Sequence, residues 1–107
     1  MHRYEVKAEE CVGDTVTHLT VYPDTSEVTT TRLYNRIIKE YEHKAEEHQL
    51  DKNTEFYAKM RGLPVMFRIR LVSYGVCEQC WQPTEDNNEE VTALHVINVN
   101  LEKENNQ

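Results

Sequence analysis

Cys77-Glu78-Gln79-Cys80 is the one patterned motif in this chain. Two thiolates separated by two residues can grip a single zinc ion from one turn, but zinc takes four ligands and a second pair is needed. The sequence holds no second Cys-x-x-Cys and no His-x-x-x-His. The remaining candidates are Cys11, near the tip of the first expected hairpin, and His95, on the last expected strand. A zinc site of Cys77, Cys80, Cys11 and His95 therefore requires that hairpin tip to lie beside the loop that carries the cysteine pair.

The same pair can be read as redox chemistry, in which one thiolate attacks a disulfide and its neighbour resolves the intermediate. Thioredoxin-like proteins place the motif after an early strand with Trp ahead of the first cysteine, whereas here it stands at position 77 and Trp81 follows the second. A zinc deaminase needs His-x-Glu upstream of Pro-Cys-x-x-Cys, and this chain has Val76 before Cys77 and no His-x-Glu. Glu40 and His43 form a single Glu-x-x-His, where carboxylate di-iron bundles use two copies and further glutamates. Arg61-Gly62-Leu63-Pro64-Val65-Met66-Phe67 opens like an RNA-recognition signature, but Leu63 and Val65 occupy the positions where aromatics would stack bases. A weaker basic and aromatic patch remains in Lys59, Arg61, Arg68 and Arg70 with Phe56 and Tyr57. The better role for Arg68 and Arg70 is the outward face of a strand, paired with acids on its neighbour. No acid/base spacing, nucleophile elbow or phosphate-cradling glycine loop is present, so a non-enzymatic protein is expected.

Charge is distributed unevenly. The 107 residues carry nineteen acids against twelve Lys and Arg, a formal net charge of −7. Residues 53–75 have one acid and four bases, whereas residues 76–107 have seven acids and one base. Such a balance is repelled by phosphate at long range and attracted to basic protein surfaces, so direct nucleic-acid binding is disfavoured. Glu85, Asp86, Glu89 and Glu90 lie within six residues of one another, in an expected loop, and are the candidate partner-binding cluster.

Positioning these groups falls to a small set of elements. Tyr4, Val6 and Ala8 alternate with Arg3, Glu5, Lys7 and Glu9, which predicts a half-buried strand. Val12-Gly13-Asp14 supplies a turn into a β-branched strand over Thr15 to Tyr22. Glu27 to Arg32 is read as a short third strand passing directly into a helix, with capping by one of its threonines as the other reading. Leu33, Tyr34, Ile37, Ile38, Tyr41 and Ala45 recur at helical spacing. A second, short helix over Glu55 to Arg61 follows, capped by Thr54 and stopped by Gly62. Val65 to Val72 and Val91 to Leu101 read as strands, the last one central because it is apolar on both sides. The expected core is Tyr4, Val6, Leu19, Val21, Leu33, Ile37, Tyr41, Phe67, Ile69, Leu71, Ile97 and Val99.

The expected fold is therefore α+β, a mainly antiparallel sheet of four to five strands (β-β-(β)-α-α-β-β) on one long amphipathic helix. Residues 1–101 form a single domain, with a fraying acidic tail over 102–107. No apolar run reaches the length of a membrane span, and Met1 to Glu5 has no secretory core, so a cytoplasmic protein is expected. Small, acidic, glycine-poor chains of this kind resemble in style the regulators and inhibitors that phages and mobile elements encode, for which the location would be the host cytoplasm. The expected function is a small acidic interaction protein that docks on a basic, nucleic-acid-binding class of partner; the second reading is a zinc-stapled binding module built on Cys77 and Cys80.

Overall fold

A computed structural model describes residues 2–24, 26–83 and 89–101. Strands β1 (His2–Val12) and β2 (Thr15–Asp24) form a hairpin, helices α1 (Glu27–Glu46) and α2 (Lys52–Arg61) follow, and β3 (Val65–Gly75) and β4 (Glu90–Val99) complete the sheet. The fold is α+β, as expected, with four antiparallel strands in the order β2-β1-β3-β4. The hairpin turn is Gly13-Asp14, and Gly13 takes a positive φ of 58° that an L side chain resists.

Among the described residues no third strand precedes α1. Ser26 is its N-cap, with Oγ accepting from the Thr29 amide at 3.2 Å, so Val28-Thr29-Thr30-Thr31 is helical despite its strand-like composition. The threonine hydroxyls make this tolerable: Thr30 and Thr31 donate to the carbonyls of Ser26 and Glu27, one turn back. Thr30 is also buried and extends the stripe of Tyr34, Ile37 and Tyr41 by one turn. Helix α2 starts earlier than its sequence suggests, because Asp51 Oδ1 takes the Asn53 and Thr54 amides at 3.0 and 3.1 Å, and Thr54 lies buried inside the first turn. Gly62 ends it in the left-handed region at φ 65°.

Register sorts the strand side chains into two faces. Val6 stands opposite Leu71, Ala8 opposite Ile69 and Val12 opposite Val65, and β3 in turn sets Phe67 against Ile97 and Val65 against Val99. These residues meet α1 through Ile37, Tyr34 and Tyr41, the last edge-on to Phe67 with ring centroids 5.1 Å apart, and meet α2 through Ala58. Leu33 and Ile97 pack at the periphery of this core.

The opposite face carries Glu9 and Arg68 as cross-strand neighbours, Lys7 beside Arg70, and Leu19 and Val21 from β2. Leu19 and Val21 are consequently exposed and do not belong to the core. Strand β4 is an edge strand, not a central one. Its two-sided apolarity arises because Leu94 and Val96, opposite Arg70 and Arg68, point to the face without helices. The molecule measures 54 × 25 × 18 Å, the proportions of one sheet with a single helical layer.

Candidate functional site

The face away from the helices is organised around two carboxylates. Glu9 Oε1 accepts from Arg68 Nε at 3.2 Å and Nη2 at 2.9 Å, and Arg70 Nη1 approaches the same oxygen at 3.5 Å. Glu5 Oε2 accepts from the Tyr74 hydroxyl at 2.9 Å, with Arg3 at 3.5 Å. Both glutamates are nearly inaccessible, at 6% for Glu5 and 5% for Glu9, so each needs these donors to offset its lost hydration. Burial, and then the hydrogen bond to Glu5, hold the Tyr74 phenol above its ordinary pKa. Lys7 closes the row by pairing with Glu89 at 2.8 Å.

This pairing bears out the cross-strand role expected for Arg68 and Arg70 and divides the expected basic patch, leaving Lys59 and Arg61 on α2. Both arginines are committed to Glu9, Lys59 is paired with Glu55 at 2.9 Å, and Arg61 lies over the Tyr57 ring at 5.3 Å. All four bases of the face engage carboxylates, so its centre is close to neutral while the chain carries −7.

Flanking this polar centre are two apolar margins. Val16, Leu19 and Val21 on β2, with Val91, Leu94 and Val96 on β4, are each 40–55% exposed. At one end of the face, the segment after β3 folds back over the sheet. Pro83 and Glu89 line a hollow with Glu5, Lys7 and Tyr74, and Trp81 lines another with Arg3, Pro23 and Asp24.

The sequence-derived zinc quartet does not assemble. Cys11 pairs in register with Met66, whereas Cys77 lies beyond Gly75 at the far end of the same strand, roughly 30 Å away at the rise of a β-strand. Cys11 is buried, and desolvation above all raises its thiol pKa, which disfavours the thiolate a metal needs. His95 stands opposite Ile69 on the helix side of the sheet, with Nε2 3.9 Å from Glu42 Oε2. Among the described residues no three His, Cys, Asp or Glu side chains are grouped to hold a metal. In the acidic cluster Glu89 is tied to Lys7 and Glu90 is exposed at the start of β4, while Glu85 and Asp86 lie outside the described residues, as does the 102–107 tail.

Another concavity, of about 290 Å³, lies between β1, β2 and the end of α1, and includes Glu10, His18, Tyr41, Lys44 and Asp51. His18 Nδ1 is 3.0 Å from Glu10 Oε2 but outside hydrogen-bond geometry, and Lys44 is held over the Tyr41 ring at 4.6 Å. This juxtaposition had no signal in the sequence, because Glu10 and His18 meet only through the register of the hairpin. Among the described residues no helix is long and apolar enough to cross a membrane. The chain matches no protein-family model, no curated protein and no solved structure.

Proposed function

We propose that this chain is a non-enzymatic interaction protein that docks on a protein partner through the helix-free face of its sheet. The observation that supports this reading is the pair of apolar margins about a polar centre whose bases engage carboxylates. Six large aliphatic side chains on one face are left to water, although the chain is otherwise strongly polar, with a mean hydropathy of −0.76. The six form two strips, one along each edge strand of the sheet, and large aliphatic side chains gathered on one face are a mark of an interaction surface. The paired centre adds polar recognition without leaving a bare charge to be desolvated.

The partner we infer has an apolar contact surface flanked by Lys or Arg. Its basic rim would meet the acidic excess of this chain, including Glu90 beside the face and Glu85 and Asp86 in the preceding segment. Long-range attraction of that kind accelerates association and sets orientation, whereas the apolar margins determine how long the complex lasts. A regulator or inhibitor that occupies a basic surface would act in this way, by competing for whatever that surface ordinarily holds.

The test is capture from lysate at low and physiological salt with three proteins: wild type, Leu19→Glu/Leu94→Glu, and Glu85→Gln/Asp86→Asn/Glu90→Gln. The reading requires one partner that the first variant loses at both salt concentrations. The neutralised variant should bind it more slowly and with a flatter salt dependence. Equal capture by all three proteins would refute both parts of the proposal.

A further inference from the structure

The backbone closes on itself immediately after β3. Val76 bridges Pro83, the Cys77 amide donates to the Gln82 carbonyl at 3.0 Å, and the Trp81 amide donates to the Cys77 carbonyl at 2.9 Å. The last of these bonds spans four residues, so Cys77 to Trp81 is a single helical turn. Three residues along such a turn separate two Cα atoms by about 5 Å, from a rise of about 1.5 Å per residue and about 3.6 residues per turn. A disulfide needs roughly 4.4–6.8 Å between Cα atoms. The residue that opens a helical turn also bends its side chain back over the amides two and three positions on, which from Cys77 is towards Cys80. Cys80 is exposed and Cys77 half-buried, whereas Cys11 is buried opposite Met66 at the other end of β3. Trp81, the only tryptophan in the chain, follows Cys80 directly. It ends the turn at φ 58°, a left-handed conformation costly for a bulky residue, and lines a hollow with Arg3, Pro23 and Asp24. A conformation of that cost persists where its surroundings over-determine it, and a cross-link within the turn does so.

We propose that Cys77 and Cys80 form a reversible intramolecular disulfide, made and broken by exchange with small disulfides and thiols of the glutathione type, that locks this turn. In closing, one cysteine thiolate attacks a sulfur of glutathione disulfide, forming a mixed disulfide and releasing one glutathione thiolate. The other cysteine thiolate then attacks the protein sulfur of that mixed disulfide and releases the second glutathione. The two cysteine protons pass to the two glutathione thiolates, the cysteine pair loses two electrons, and glutathione disulfide gains them. The second step is fast because the resolving cysteine is held within the same turn, which makes it intramolecular. The bond forms within one chain and uses none of the aliphatic margins, so this proposal and the docking proposal can fail separately.

The experiment equilibrates the full, reduced chain in buffers of rising oxidised-to-reduced glutathione ratio, quenches with acid, alkylates the remaining thiols and reads the mass. Trp81 fluorescence is followed in parallel and reports on this turn alone. The expected result is loss of two of the three thiols in one step, a chain lighter by two hydrogens with no glutathione retained, and quenched Trp81 emission that a dithiol restores. Peptide mapping should place the bond between positions 77 and 80. Cys11→Ser should leave all of this intact. Cys77→Ser and Cys80→Ser, with the melting temperature of the reduced wild type, should instead retain one glutathione on the cysteine that remains. A wild-type chain that keeps three thiols in the most oxidising buffer, that stops at the mixed disulfide, or that cross-links to a second chain would overturn the proposal.

Discussion

At the scale of single residues, the molecule concentrates its constraint in a few shared acceptors. Glu9 is the clearest, because one carboxylate oxygen serves both Arg68 and Arg70, and Arg70 Nε is already buried without a partner. Glu9→Ala should therefore cost about 1–3 kcal/mol, towards the lower end because Arg68 is partly open to water. Urea melts check this, and superposable curves would mean that the arginines find equivalent partners. Tyr22 gives a pH signature. Burial first, then the hydrogen bond with Tyr41 and the negative charge of Glu40, push its phenol up to about 12. A phenol whose folded pKa is raised binds more protons in the native state between its unfolded and folded values. Its stabilising contribution is present below pH 10 and is lost as pH rises from about 10 to 12. Tyr22→Phe should flatten that part of the alkaline stability profile, which thermal melts across the range would show. The cross-strand use of Arg68 and Arg70 was legible in the sequence, because alternation assigns a strand's charged residues to one side. The shared acceptor was not, since register is a tertiary property.

At the scale of elements, α1 carries the core. Its stripe of Thr30, Tyr34, Ile37 and Tyr41 covers β1 and β3, with Ile37 only 2% exposed. Ile37→Ala should cost about 2–5 kcal/mol in a urea melt, because the fixed sheet beneath it cannot collapse into the cavity. A loss below about 1 kcal/mol would indicate that α1 does not face the sheet through this residue. Most of α1 was legible because its period is long and regular. Its first turn was not, since Val28 to Thr31 has strand composition and only the Ser26 cap and back-bonded hydroxyls reveal a helix. Leu19, Val21, Leu94 and Val96 misled in a more instructive way. Their apolarity suggested core positions for the first pair and a central strand for the second pair. Hydropathy reports that a side chain avoids water but does not say whether this chain or another one covers it. All four fall on the one face without helices.

At the scale of the whole molecule, sheet and helices form a thin two-layer body, with exposed apolar side chains on both layers, Val28, Phe56 and Met60 on the helices among them. The helix-free face is neutral at its centre and aliphatic at its margins. The helices carry no excess negative charge, since the four acids of α1 are matched by four bases and α2 has one acid against three bases; the excess lies chiefly in residues 76–107, with seven acids and one base. The acids of residues 76–107 and the aliphatic margins are different residues, so attraction at a distance and apolar contact on arrival can be altered independently by substitution. Little of it was legible beforehand, because the sequence gives the charges without the faces, and the acidic 85–90 cluster drew attention through its density alone. The most direct measurement of the docking proposal is site-specific photocrosslinking, with a photoreactive residue placed at Leu94 on the helix-free face or at Arg36 on the exposed side of α1. The account predicts a discrete crosslinked partner from position 94, lost when Leu19→Glu is added and absent from position 36, with the same melting temperature for each protein. Crosslinks to that partner from position 36, or from position 94 regardless of Leu19, would contradict it.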